Sequence, residues 1–209
     1  MKKIVTIFIF LAGFSAAFHI TSVDAGEIKL IRDPANIDRD LRDITFFLGI
    51  EYLKIDFEGE GLDGKTYRLT AKEIWDGEIK DTSTVFNSAE IPAPHLQRVT
   101  GDTFQIRIVS ELSEENTLRM NFNFPGLTVK REYDAIQSDD YSLRYASMQP
   151  ETKLSPGESF YLLTYMLPYE EDGIKHYCSV EASGSDVLLW GEEFGIEHYL
   201  VFEMVFEEM

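Results

Sequence analysis

Along much of the chain, apolar and polar residues alternate one for one. From Thr103 to Leu112, Phe104, Ile106 and Ile108 alternate with Gln105 and Arg107. From Thr117 to Phe124, Leu118, Met120, Phe122 and Phe124 alternate with Arg119, Asn121 and Asn123. Near the C-terminus, Ile196, His198, Leu200, Phe202, Met204 and Phe206 fall on one side, with Glu197, Glu203 and Glu207 on the other. A two-residue period sustained in this way predicts strands with one buried and one wet face. Further strands are expected over 27–32, 45–57, 66–75, 78–86, 127–133, 142–148, 159–168 and 174–182.

One hairpin can be assigned a register. Asp76-Gly77 is a two-residue turn in which both positions accept positive φ. Closing it there sets Ile74 opposite Ile79, Glu73 opposite Lys80, Lys72 opposite Asp81, Thr70 opposite Ser83 and Tyr67 opposite Phe86. These are matched cross-strand pairs, and a slip of one residue loses them.

Helical signals are few. Asp33 is placed to cap a helix with Pro34 at its first position, and Ile37, Leu41 and Ile44 then share a face. A shorter turn is expected from Ala93 to Val99, with Gly101 just past its end. Neither segment can supply a core. The expected fold is therefore all-β, an antiparallel β-sandwich of roughly nine to eleven strands with one short N-terminal helix. The segment from Pro150 to Gly157 reads as the clearest loop. The chain beyond that loop holds too few strands to close a core of its own, so residues 26–209 are expected to form one β-sandwich domain.

The alternation breaks down at the N-terminus. Lys2 and Lys3 precede an uncharged, almost wholly apolar run from Ile4 to Phe18, and Val23-Asp24-Ala25 sets small residues before Gly26. This is the layout of a secretory signal peptide, residues 1–25, cut after Ala25. The apolar run is shorter than the roughly 20 residues a membrane span needs. No cysteine follows it to carry a lipid. The expected location is exported, periplasmic or extracellular, with no stable membrane insertion after cleavage.

Composition narrows the partners. The chain carries a formal −18; residues 1–25 hold Lys2, Lys3 and Asp24, a net +1, so the remainder carries −19. A secreted acidic protein of this charge repels phosphate backbones, and no nucleic-acid partner is expected. Cys178 is the sole cysteine, which excludes an internal disulfide.

Two motifs carry apparent chemistry. Gly59-Glu-Gly-Leu-Asp-Gly64-Lys65-Thr66 spells the phosphate-binding loop pattern. That chemistry needs a helix N-terminus around the phosphate, whereas here Glu58, Glu60 and Asp63 surround the segment and a strand is expected next. A glycine-rich turn with Asp63-Gly64 at its tip is the expectation, and no nucleotide is assigned. The sequence Gly173-Ile-Lys-His-Tyr177 recurs as Gly195-Ile-Glu-His-Tyr199. His176, His198 and Cys178 are metal-ligating types, but two histidines lack a fixed third ligand, and similar strand entries explain the echo. Cys178 shares an alternating face with Ile174 and Val180 and reads as a buried thiol. No catalytic residue, metal or cofactor is assigned.

Aromatic and acidic loop residues remain. Trp75 adjoins the Asp76-Gly77 turn, Tyr169 precedes the acidic run Glu170, Glu171 and Asp172, and Trp190 lies between Gly184 and Gly195. Aromatic rings at strand ends stack on sugars or anchor proteins, and they also cap cores. These six residues form the expected ligand-binding edge of an exported, non-catalytic binding or interaction protein of the cell envelope, with a glycan or protein partner. Two alternatives stand beside it. One is an exported carboxylate-dependent hydrolase, for which Glu170-Glu171 and Glu192-Glu193 supply paired acids. The other is a structural or assembly component of the envelope, an outer-membrane barrel included.

Overall fold

The computed structural model describes residues 26–32, 38–146, 151–177 and 186–208. Thirteen strands occupy most of them: β1 (Ile28–Ile31), β2 (Ile50–Glu58), β3 (Thr66–Trp75), β4 (Glu78–Asn87), β5 (Thr103–Leu112), β6 (Thr117–Phe124), β7 (Leu127–Asp134), β8 (Ser142–Tyr145), β9 (Glu151–Leu154), β10 (Phe160–Met166), β11 (Tyr169–Glu171), β12 (Ile174–His176) and β13 (His198–Glu207). Two α-helices accompany them, α1 (Arg39–Phe47) and α2 (Trp190–Phe194). A six-stranded sheet in the order β7-β6-β5-β2-β1-β9 packs against a five-stranded sheet in the order β4-β3-β13-β10-β8. A separate hairpin joins β11 to β12. This is the all-β sandwich that the alternation predicts.

Rings from the two inner faces interlock. Phe57 meets Phe206 edge-on at 5.1 Å, Tyr67 meets Phe104 at 4.6 Å, and Phe122 meets Phe202 at 5.2 Å. Such pairs add about 0.5–1.5 kcal/mol each beyond the area they bury. The C-terminal strand β13 sits between β3 and β10 and is buried on both faces. Its outer residues Tyr199 and Val201 are also covered. The chain from Val187 to Phe194 lies over Tyr199, which donates its hydroxyl to the Leu188 carbonyl and accepts from the Gly191 amide.

Several local expectations are corrected. The segment from Pro150 to Gly157 is not wholly loop, because Glu151–Leu154 pairs with β1 as an edge strand. Its residues lack an apolar face, so alternation could not reveal it; cross-strand ion pairs of Lys29 with Glu151 and Lys153 with Glu27 lie beside it. The acidic run after Tyr169 is also strand, folded into a hairpin over Asp172 (φ 53°) and Gly173 (φ 77°). The expected strand over 45–57 begins only at Ile50, since Thr45 to Phe47 end α1. Of the expected strand 174–182, Ile174–His176 is present, Tyr177 is already a bend, and 178–182, Cys178 included, lie outside the described residues.

The Asp76-Gly77 turn forms, with φ of 50° and 79°, and Ile74 faces Ile79. Beyond it the register slips by one, so Glu73 faces Asp81, Lys72 faces Thr82 and Thr70 faces Thr84; a second slip sets Leu69 opposite Phe86. Bulges of this kind are common on edge strands and discourage edge-to-edge pairing. The expected partner of Lys72 lies elsewhere: its ammonium reaches Glu203 on β13. Tyr67 and Phe86 keep a ring contact at 5.6 Å although they are not opposite each other.

Between β2 and β3, the phosphate-loop spelling folds as a turn. Lys65 donates its amide to Leu62 at 3.1 Å, Gly64 has φ 75°, and strand β3 starts at Thr66, so no helix follows. The other two glycines serve packing. A Cβ on Gly59 would lie 2.0 Å from the Glu27 carbonyl oxygen, and one on Gly61 would lie 2.3 Å from that of Gly26.

Candidate functional site

The six residues expected at a binding edge do not form one site. Trp190 is 2% exposed and belongs to the core, with its ring over Tyr199 on the outer side of the β13 sheet. Trp75 pairs in register with His198, and its ring lies 4.0 Å from the imidazole at 33°. His198 and Tyr199 are consecutive on one strand and point to opposite faces, so the two tryptophans lie on opposite sides of the sheet. Tyr169 is buried between His176 (5.2 Å) and Phe194 (5.4 Å). Glu170, Glu171 and Asp172 are exposed on their hairpin. The aromatic members are thus largely engaged in packing, and the acidic ones stand apart in solvent.

The sandwich interior changes character towards one end. Inward residues of β13 run Phe206, Met204, Phe202 and Leu200 before reaching His198, and their partners on β3 run to Glu73 and Trp75. Across the interior, Phe57, Ile55 and Leu53 of β2 give way to Glu51, which pairs with Ser110 of β5. His198 is fully buried, and its Nδ1 contacts the Tyr141 hydroxyl, which also accepts from the Ile136 amide. Among the described residues, neither His198 Nε2 nor the Tyr133 hydroxyl has a hydrogen-bond partner. Burial lowers the His198 imidazole to about 4 and pushes Tyr141 up to about 12, so both are neutral at physiological pH. Glu73 is raised by burial and by the carboxylates of Asp81 and Asp134.

This polar end opens into a cleft of about 470 Å³ bordered by Tyr141, Tyr165, Glu51 and the C-terminal end of α1. Glu111, Glu114 and Asp139 also line it. Burial raises the Glu51 carboxyl, and only part of that effect is offset by the Leu143 amide and the charge of Arg144. No Lys or Arg is among the described residues lining the cleft.

Helix α1 forms the rim. Asp38, and not Asp33, is its cap: Oδ1 accepts from the amides of Asp40 (2.9 Å) and Leu41 (3.2 Å). Asp33, Pro34 and Ile37 lie outside the described residues. At the other end Gly49, with φ 68°, lets the chain turn directly into β2. The face that Leu41 and Ile44 share is turned to solvent. No residue of α1 is buried; Ile44 is 57%, Phe46 86% and Phe47 87% exposed, and Leu41 and Leu48 join them. Sequence reasoning missed this surface because an apolar stripe signals contact without saying with what. The pair Phe46-Phe47 next to a helix-ending glycine was the available clue.

Among the described residues, the half-buried His176 and the fully buried His198 are not brought together with a third ligand, and no cluster of three His, Cys, Asp or Glu able to hold a metal occurs. No helix among those residues is long and apolar enough to cross a membrane. A scan against protein-family models finds no match to this chain. Searches of curated proteins and of solved structures likewise find none.

Proposed function

We propose that this chain is an exported, non-catalytic binding protein that meets a protein partner through α1 and the cleft beside it. The observation that carries this reading is the solvent-facing apolar group Leu41, Ile44, Phe46, Phe47 and Leu48. Exposed apolar patches on an otherwise well-packed protein mark contact surfaces, because water around them is released on binding. Aromatic anchors dominate such contacts. The leader over residues 1–25 supports export to the periplasm or beyond. The β11–β12 hairpin adds exposed acidic residues, Glu170, Glu171 and Asp172, elsewhere on the same scaffold.

Capture experiments test the reading. Protein recovered from cells expressing the full chain is immobilised and offered envelope extract, alongside Phe46→Ser/Phe47→Ser. Both side chains are exposed, so the variant keeps its unfolding temperature while losing the captured partner. An unchanged set of captured proteins refutes the surface.

One observation favours the hydrolase alternative. Glu73 is a half-buried carboxyl held high in its range opposite Asp81, the kind of pairing that general acids use. Hydrolysis of a glycan that Glu73→Gln abolishes without unfolding the protein would establish that alternative.

A further inference from the structure

We propose that the occupant of the α1 surface is an amphipathic segment of a partner protein that presents lysine or arginine beside its apolar face. This rests on the reading of α1 and its cleft as the contact surface, and it specifies the partner's chemistry. Phe46 and Leu48 belong both to the exposed apolar group and to the cleft wall, so one ligand covering them also meets Glu51, Glu114 and Asp139, while Glu111 is engaged by Arg119 at 3.6 Å. A segment that buries apolar side chains on the helix therefore brings its flanking groups within reach of carboxylates. Cations there gain charge-assisted hydrogen bonds, whereas acids are repelled. Glu51 adds to this selection: a carboxyl partly withdrawn from water is stabilised most by an arriving cation.

Other occupants fit less well. A second copy brings the same carboxylates and a second charge of −19 after removal of residues 1–25. Anionic lipid meets the same repulsion. Sugars stack on open ring faces, whereas the exposed group here is largely aliphatic, with Leu41, Ile44 and Leu48 around the two phenylalanines.

The test uses three synthetic amphipathic peptides with one shared leucine face and a polar face of Lys, Gln or Glu. Their binding to protein recovered from cells expressing the full chain is followed by fluorescence anisotropy. The Lys peptide is expected to bind about tenfold tighter than the Gln peptide, from several exposed charge pairs acting together, and the Glu peptide weakest. The preference should vanish at high salt and in Glu51→Gln/Glu114→Gln/Asp139→Asn. Equal binding of all three peptides that Phe47→Ser weakens overturns the cationic partner and leaves the surface standing. Lys-peptide binding that Phe46→Ser/Phe47→Ser does not change overturns both. A dimer in sedimentation, or binding to phosphatidylcholine vesicles, that is lost in Phe47→Ser also overturns the proposal, in favour of a second copy or a membrane respectively.

Discussion

At the scale of single residues, the interior holds two kinds of constraint. The first is backbone proximity. Gly59 has φ 142°, and a Cβ there would meet Glu27, whereas Gly64 has φ 75° with open space around it. Gly59→Ala should therefore cost about 2–4 kcal/mol, from overpacking and strain together, and Gly64→Ala about 1 kcal/mol, from conformation alone. Urea denaturation of the two variants checks the difference; equal midpoints would mean that the first strand does not lie against the Gly59–Gly61 turn. The second constraint is buried ionisable chemistry. His198 is lowered from 6.5 to about 4 by burial. Below pH 6.5 the unfolded chain takes a proton that the folded chain refuses. The contribution is thus fully present above 6.5 and lost as pH falls through about 4, by about 3 kcal/mol in all. Glu51 and Glu73, held above their usual range, act in the opposite sense, favouring the fold at low pH and losing that contribution as pH rises. The histidine is isolated by comparison: His198→Gln should show a shallower loss of stability between pH 6.5 and 4 than the parent protein does.

At the scale of elements, the β3–β4 hairpin and helix α1 make contrasting cases. The Asp76-Gly77 turn has the two positive φ values that its sequence predicts, and Gly77 also abuts α2, where an added Cβ would lie 3.0 Å from the Glu192 amide nitrogen. Gly77→Val is expected to destabilise by about 1–3 kcal/mol, because a β-branched residue resists that conformation. Lys65→Ala should cost about 1 kcal/mol or less, from an ion pair with the exposed Glu208 and the packing of a side chain that is 12% exposed. Thermal unfolding of both variants distinguishes them. Helix α1 buries none of its residues, so its stability is local. Asp38→Ala should remove about 1 kcal/mol of helix stability through loss of the cap. Hydrogen exchange in Asp40 to Phe47 should accelerate while global unfolding stays nearly unchanged. Equal loss in both measurements would mean that α1 is packed on the sandwich.

At the scale of the molecule, the proposed export would change the net charge. Processing after Ala25 would leave a chain of −19 that begins at Gly26, and a Cβ on that glycine would lie 2.6 Å from the Gly61 nitrogen. Intact mass of protein recovered from the envelope or medium should correspond to a start at Gly26, and a mass that retains residues 1–25 contradicts the export reading. The high negative charge disfavours anionic partners and self-association alike, and an exposed hydrophobic helix is tolerable on such a surface because like charge keeps copies apart.

The sequence alone determined whatever depends on neighbours close along the chain. Period-two alternation specified eleven of the strands well enough to assign the all-β sandwich, and Asp76-Gly77 specified a turn through its φ demands. Elements without a local signature escaped: Glu151–Leu154 is strand only because β1 lies beside it, and the register slips of β4 come from bulges that no pair along the two strands requires. Tertiary structure decided where the candidate site residues lie. It drew Trp190 into the core under Tyr199, placed Trp75 on the opposite face, and gathered Glu51, Tyr141, Tyr165 and His198 from four distant stretches into one polar end. It also left the apolar face of α1 in water. The physical reason is common to these cases: alternation reports that a side chain is to be buried, while the partner that buries it lies on another strand or on another molecule.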